Sequence, residues 1–531
     1  MQGWIPYTPF ENMNGFRVLL LELQNHRVLC RKGKRCRLEL FNTEGFDDVI
    51  SAIPYTTIII GPNGVGKSFI LSALAEIFRH IKELQNPERV VKTDLPYRFA
   101  IQYFFNGHCY KVSTLSDSQA IHDSSERLFS HFHCWEDDNS CALTRCPVPC
   151  AVLASAVSIN DRFKTHKTND GFYWYLGSRN ANSPSTTGTR TLVRKTVSAI
   201  AECLSSGSYF RDNLKRLLDY LELEPRMDIE YSFRYRKVYL SHPITNEEFI
   251  HIFDNWEEPF RQAGSRRKSA PWGHKKFPEI RDNPNNIDLI VHYLNRIRDD
   301  LLLKGRGRIR YSIDDNSLVD DWKAIHLLTE LDIMTYPTIR VYKRQGGISQ
   351  NYLFEESSSG ETNMLCQFIN ILSRIEQHSL VLIDEPETSA HPDWQVRYID
   401  WLNQIFGRFN TCHFIISTHS HFLLTDIRKE SSAIVALKKK DGEVVNISEG
   451  RNTFCWSVDD ILYKVFKVRN TRNRAFENDM MRLYELMKVD SSENRQAARN
   501  IMSSLQDVVL NNGDPLLYLL ERGQKYVESE S

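Results

Sequence analysis

The chain has 531 residues with 67 basic and 67 acidic side chains, so its overall charge is zero and selects no charged partner; a nucleic-acid site would have to be a local patch. With 41% hydrophobic and 25% charged residues it has a globular composition, and its length exceeds one core, which implies two or three lobes. No apolar run approaches the roughly 18 residues of a membrane helix, no signal-peptide pattern opens the chain, and the 11 cysteines follow no disulfide rhythm; a cytoplasmic protein with reduced thiols is expected.

Phe16–Leu23 (FRVLLLEL) and Arg35–Phe41 (RCRLELF) predict an antiparallel strand pair, with Cys30 and Cys36 at a solvated tip beside Lys32, Lys34 and Arg35. Next comes Tyr55–Ile60 (YTTIII), a β-branched apolar strand. It runs into Gly61, Pro62, Asn63, Gly64, Val65, Gly66, Lys67 and Ser68, followed by Phe69 and by Ile70, Leu71, Leu74, Ile77 and Phe78 at helical spacing. Strand, GxxxxGK[ST] loop and helix together are a phosphate-binding loop in its proper context. Backbone N–H groups close around an anion there, and the helix N-terminus adds partial positive charge. Lys67 is expected at the β- and γ-phosphates of ATP and the Ser68 hydroxyl at Mg²⁺.

Tyr97–Phe105 and His108–Thr114 flank Asn106-Gly107, a hairpin signal, and Ala151–Ala156 is a further strand. Between them lie His131, His133, Cys134, Cys141, Cys146 and Cys150. Their spacing contains no C-x2-C knuckle, so loop cysteines without metal are expected and zinc is the alternative. From Thr191 the pattern turns helical. Positions 261–310 hold 13 Lys/Arg against 5 Asp/Glu, including Arg266, Arg267, Lys268, Lys275, Lys276, Arg296, Arg298, Lys304, Arg306, Arg308 and Arg310. With Trp272, Phe277 and Tyr293 interleaved, the stretch reads equally as a phosphate-and-stacking surface for nucleic acid or as a solvated helical insertion.

Leu380-Val381-Leu382-Ile383 is an apolar strand ending in Asp384-Glu385. Such a strand presents Asp384 to the Mg²⁺ shell, and Glu385 is placed to orient or deprotonate the attacking water. Upstream, Ser357-Ser358-Ser359-Gly360-Glu361 opens a helix whose N-terminus can bind a phosphate. Downstream, Cys412–Ile416 is a strand ending in Ser417-Thr418-His419-Ser420, where a histidine can sense the γ-phosphate.

Together GPNGVGKS, SSSGE, LVLIDEPE, TSAHP and ISTHS resemble the ABC-type ATPase heads of the RecF, SMC and OLD groups. The resemblance implies an α/β fold: a mixed sheet flanked by helices, an antiparallel β subdomain, a helical insertion and a C-terminal helical tail. It implies a head-to-head dimer in which Ser358, Gly360 and Glu361 of one chain face the γ-phosphate held by Lys67 of the other. It makes Glu385 the catalytic glutamate, Asp384 and Ser68 the Mg²⁺ residues and His419 the switch histidine. Ser357 stands where the signature has Leu and Ser359 where it has its first Gly, which implies slow hydrolysis with ATP partly structural. The glutamine expected after the Ala151–Ala156 strand is not evident, and Asn160 or Asp161 is its stand-in.

The lobes expected are 1–200 (first half of the head), 201–310 (helical, basic insertion), 311–465 (second half) and 466–531 (helical tail, a candidate docking region). No heptad coiled coil appears, and the 65 residues after Phe466 are fewer than a nuclease domain needs. ASAVSINDRF, YWYLGSRNANS (Tyr173–Ser183) and FCWSVDDILYKVFKVRNTRN (Phe454–Asn473) resemble the PtuA-like ATPases of Septu and retron antiphage systems. That resemblance implies an ATPase controlling a separate HNH nuclease (PtuB-like), with a reverse transcriptase and its RNA–DNA product in retron forms. The alternative is a RecF-like repair ATPase that binds DNA itself.

Overall fold

A computed structural model describes residue 4 and residues 14–42, 53–86, 95–115, 132–158, 160–165, 171–179, 188–204, 208–262, 272–303, 308–335, 337–345, 347–425, 427–440, 443–446, 474–489, 491–505 and 515–528. They fall in two compact units, Met1–Val458 and Asp459–Ser531.

The first unit contains three sheets. Phe16–Gln24 (β1), Arg35–Glu39 (β2), Arg98–Phe105 (β4), His108–Ser113 (β5), His133–Glu136 (β6) and Asn139–Ser140 (β7) form an antiparallel sheet in the order β2-β1-β4-β5-β6-β7. Asn106 (φ 46°) and Gly107 (φ 91°) make the two-residue turn between β4 and β5, where both positions need positive φ. The tip between β1 and β2 differs from expectation. Lys32, Lys34 and Arg35 are exposed, but Cys30 and Cys36 are buried, and Cys30 Sγ donates to Leu23 O at 3.5 Å. A free thiol behaves as a small apolar group and turns inward.

The second sheet holds Tyr55–Ile60 (β3), Val152–Ala156 (β8), Tyr173–Tyr175 (β9), Leu380–Asp384 (β14), His413–Thr418 (β15), Ser432–Lys440 (β16) and Glu443–Asn446 (β17), in the order β17-β16-β3-β15-β14-β8-β9. All neighbours are parallel except β16 and β17. β3, β8, β14 and β15 are buried along their whole length, which is why each reads as a continuous apolar run rather than an alternation. The helix Lys67–Leu84 (α1) packs on β8, β14 and β15. Its Ile70, Leu74, Ile77 and Phe78 share one core cluster with Phe16, Leu21, Ile101 and Tyr103 of the antiparallel sheet.

The third sheet was not legible as such in the sequence. Met227–Ser232 (β10), Arg308–Ser312 (β11), Thr338–Gln345 (β12) and Ile348–Leu353 (β13) pair antiparallel in the order β11-β10-β12-β13. The helices Thr189–Leu204 (α2), Ser208–Tyr220 (α3), Arg236–Tyr239 (α4), Asn246–Asp254 (α5), Glu257–Gln262 (α6), Phe277–Arg281 (α7), Pro284–Leu303 (α8) and Ser317–Glu330 (α9) occupy the intervening sequence. Ser359–Leu372 (α10) and Pro392–Phe406 (α11) flank the parallel strands in the chain.

The second unit has its own core. Arg474–Leu486 (α12), Ser492–Ser504 (α13) and Pro515–Glu528 (α14) bury Met480, Leu483, Ala498, Ile501 and Leu505. Met481, Tyr484, Val489 and Tyr518 stay at least half exposed. Phe454–Asn473 lies outside the described residues, as do 506–510. No described helix is long and apolar enough to cross a membrane.

One buried cation ties the antiparallel sheet to the parallel one. Arg17 on β1 donates to Phe16 O (2.7 Å), Asn410 O (2.6 Å), Thr411 O (2.9 Å) and Cys412 O (3.0 Å). Burial lowers its pKa to about 10, so it stays charged at neutral pH. Beside it, His413 Nδ1 accepts from Val18 N (3.0 Å) and its Nε2 lies 2.8 Å from Thr57 Oγ1. Arg17→Met removes one donor from each of three carbonyls before β15, of which Thr411 O keeps Phe16 N (2.8 Å), and urea unfolding is expected to show a loss on the order of 3 kcal/mol.

Candidate functional site

The site forms where three parallel strands end together. The register pairs Asp384 with Ser417 and Ser417 with Ile59, so the C-terminal ends of β14, β15 and β3 share one sheet edge. In a parallel sheet that edge is where loops converge on ligands. Residues more than 300 positions apart therefore meet without any local signal.

The glycine loop follows β3. Gly66 has φ 110° and begins α1, and a Cβ there would lie 2.4 Å from Leu29 Cδ2, so the loop admits only glycine. Pro62, Asn63 and Gly64 are exposed and Val65 is buried. Phe69 packs against His26 (ring centroids 5.9 Å apart) under the Arg162 guanidinium (5.0 Å).

Lys67 is 4% exposed, and its ammonium donates to Gly61 O (3.0 Å) and to His419 Nε2 (2.6 Å). Burial lowers its pKa to about 8, against the pull of Glu385, Glu387 and Asp384. Burial and the Lys67 charge lower the His419 pKa, so a neutral imidazole receives the Lys67 hydrogen bond. Ser68 Oγ donates to Asp384 Oδ1 (3.0 Å), which also accepts from Ser417 Oγ. Burial raises the Asp384 carboxyl, and these two hydroxyls offset part of that rise. Glu385 Oε1 lies 3.5 Å from His419 Nε2. Glu385 holds φ 49°, a strained state for a side chain at a strand end, and its N–H donates to Ser417 O (2.9 Å). Lys67, Ser68, Asp384, Glu385 and His419 are thus one cluster, and Ser417 is a member that sequence reasoning had not singled out.

Ser358, Gly360 and Glu361 stand apart from that cluster. Ser358 caps α10: Glu361 N donates to Ser358 Oγ (3.2 Å) and Ser358 N to Glu361 Oε2 (3.1 Å), a reciprocal capping box. Ser358 and Ser359 are exposed. Gly360 is buried, and a Cβ on it would lie 2.3 Å from Ser389 O, so its backbone sits against the loop that follows Glu385.

Other candidates have different duties. Asn160 is exposed, whereas Asp161 is buried and bound by Arg179 Nε (3.0 Å) and Tyr175 Oη (2.7 Å), so its carboxylate serves an internal network. In the basic stretch, Phe277 and Tyr293 are buried and offer no stacking surface; Tyr293 Oη lies 2.8 Å from Tyr311 Oη. Arg308, Arg310 and Arg340 bind Glu230 at 2.8–3.2 Å. Burial raises that carboxyl, yet the three guanidiniums hold it at about 2. Arg296 pairs with Asp321, Arg298 with Asp299 and Arg281 with Asp254. Five of the described basic residues, Arg281, Arg296, Arg298, Arg308 and Arg310, are therefore ion-paired. Arg266, Arg267, Lys268, Lys304 and Arg306 lie outside the described residues. Cys141 and Cys146 approach to 3.7 Å between sulfurs, and among the described residues no three His, Cys, Asp or Glu are disposed to hold a metal; His131 is not among them.

Residues 203–425 match a protein-family model described as "AAA domain, putative AbiEii toxin, Type IV TA system", a span that takes in Ser358–Glu361, Asp384, Glu385 and His419. Among solved structures the chain is similar to the SMC head domain from Thermotoga maritima, at 10% identity and TM-score 0.32, over 81% of this chain and 98% of that one. It is similar to the Smc head domain with an extended coiled coil, bound to the C-terminal domain of ScpA, from Pyrococcus furiosus (13%, TM-score 0.30, 86% and 100%). It is also similar to the recombination mediator protein RecF with ATPrS (12%, TM-score 0.29, 82% and 100%). No curated protein matches it. Likeness at these scores carries no functional weight; the family match and the clustered motifs do. Residues 203–425 thus match an AAA-domain model, and with the clustered motifs the chain is an ATPase.

Proposed function

We propose that this ATPase is a nucleotide-gated regulator that closes head to head on ATP and governs a separate HNH nuclease in a bacterial antiviral complex. The observation that carries the reading is the split of its motifs. Lys67, Ser68, Asp384, Glu385 and His419 converge at one sheet edge, while Ser358–Glu361 offers an exposed helix N-terminus occupied by its own cap. A second copy supplies that N-terminus to the γ-phosphate, as a helix terminus binds anions.

In this reading the N–H groups of Gly61–Ser68 cradle the phosphates and Lys67 turns from His419 to the β- and γ-phosphates. Ser68 and Asp384, a hydroxyl and a carboxylate 3.0 Å apart, are the hard oxygen donors that suit Mg²⁺, which supplies charge neutralisation of the phosphates when bound. Glu385 takes a proton from the water that attacks the γ-phosphorus, and His419 holds the terminal phosphate.

Two observations support a separate effector. The tail unit leaves Met481, Tyr484, Val489 and Tyr518 at least half exposed, apolar and aromatic side chains of the kind a protein partner covers. The description of the matched family reads "putative AbiEii toxin, Type IV TA system". The ion pairing of Arg281, Arg296, Arg298, Arg308 and Arg310 supports a protein partner over direct DNA binding. A reverse transcriptase with its RNA–DNA product would then be a third component.

Four measurements test this. Mixing Lys67→Ala with Ser358→Arg chains is expected to restore about a quarter of wild-type ATPase rate, because half the dimers then carry one intact composite site; no recovery sinks the shared site. Glu385→Gln is expected to bind ATP and not turn it over. Pull-down of the chain from its native operon should bring an HNH nuclease with it, and its absence with and without ATP removes the regulatory role. ATP affinity should also follow the Lys67 charge. That ammonium is fully present below pH about 8 and lost above it, so calorimetry is expected to show binding about tenfold weaker at pH 9 than at pH 7.

A further inference from the structure

The turn that carries His419 is held by a residue with no role in the reading above. β15 ends at Thr418, and of the next two backbone N–H groups Ser420 N also donates to Thr418 Oγ1 (2.8 Å). Glu387, two residues past Glu385, reaches across from the end of β14, and its Oε1 accepts from His419 N at 2.6 Å and from Ser420 N at 3.2 Å. Ser420 Oγ donates to Gln395 Oε1 (2.6 Å) on α11 and accepts from Phe422 N (3.1 Å). Gln395 Nε2 in turn donates to Ala390 O (2.9 Å), next to the Ser389 carbonyl that abuts Gly360. The turn is gripped from two sides, by a carboxylate on one and an amide on the other.

We propose that Glu387 is a positioning residue for ATP hydrolysis: its carboxylate fixes the backbone of His419 and so aims the imidazole at Lys67 and Glu385. The argument is geometric. His419 presents Nε2 to Lys67 at 2.6 Å and to Glu385 at 3.5 Å, and a shift of about 1 Å at such contacts costs orders of magnitude in rate. The clamp needs an acceptor, not a charge. An amide oxygen at the same place accepts the same two N–H groups, whereas a methyl group cannot. The proposal rests on the reading that His419 acts in the ATP site.

The test is ATP turnover by the full chain, with ATP binding measured separately. Glu387→Ala is expected to lower kcat 10- to 100-fold, on the order of other misplaced catalytic groups, while ATP Kd moves by less than about threefold. Glu387→Gln is expected to recover the rate to within about threefold of wild type. In a His419→Ala background, Glu387→Ala should change kcat by less than about twofold, because its effect passes through the histidine. If Glu387→Ala turns over at the wild-type rate, if Glu387→Gln falls as far as Glu387→Ala, or if the two losses multiply, the clamp is wrong. A His419→Ala chain with wild-type turnover sinks instead the underlying reading of His419. Should Glu387→Ala fail to fold, Glu387→Asp takes its place in the cycle, since it withdraws the acceptor by one methylene and is expected to slow turnover in the same way.

Discussion

The parallel register of β3, β15 and β14 is the constraint on which the ATP site depends. Each strand is buried on both faces, so it offers polar groups only at its end. Pairing Asp384 with Ser417, and Ser417 with Ile59, brings those ends level. A slip of one residue would part Ser68 from Asp384 and turn every side chain of the strand to the other face. The opposite end of the same strands is pinned by the Arg17 guanidinium, which satisfies the carbonyls leading into β15, and by His413, which bridges β1 and β3.

The antiparallel sheet contributes to the site by packing. Leu29, in the connection between β1 and β2, lies where any side chain at Gly66 would have to go. The helix that begins there shares its core with the antiparallel sheet, which fixes the direction of the loop's N–H groups. Burial also lowers the Lys67 pKa and raises that of Asp384, so the surroundings disfavour the charged form of both. That is the usual condition of residues whose charge is completed by a ligand.

A line of contacts joins the two halves of the machinery inside one chain. Gly360 rests on Ser389, Ala390 bonds Gln395, Gln395 bonds Ser420, and Ser420 follows His419. The helix tip that would meet a second copy is therefore continuous, through backbone and short side chains, with the histidine of its own site. None of these links spans more than one residue's reach, and rigid elements carry most of the distance.

Much of this was legible in the residues. GPNGVGKS between YTTIII and an apolar helical pattern, and LVLIDE with ISTH after it, name an ATP site because few other chemistries need glycines, a lysine and two acids in those strand and helix contexts. The Asn106-Gly107 hairpin and the helical character of the tail were equally readable from local turn chemistry and periodicity. The third sheet was not, although RIRYS and TIRVY alternate, because β10 finds its partners about 80 and 110 residues later and no local pattern states a pairing. The pairing of Arg308 and Arg310 was hidden for the same reason: they count as free charge in sequence, and only the fold sets Glu230 between them. Cys30 and Cys36 looked solvated beside lysines, and the sheet turned them inward. The sequence by itself determined which chemistry the chain carries, since that depends on residue type and spacing along one strand or loop. Tertiary structure alone decided which of those residues meet, which charges remain unbalanced and which glutamate holds the histidine in place, because burial and long-range pairing set those and neither is encoded within a local window.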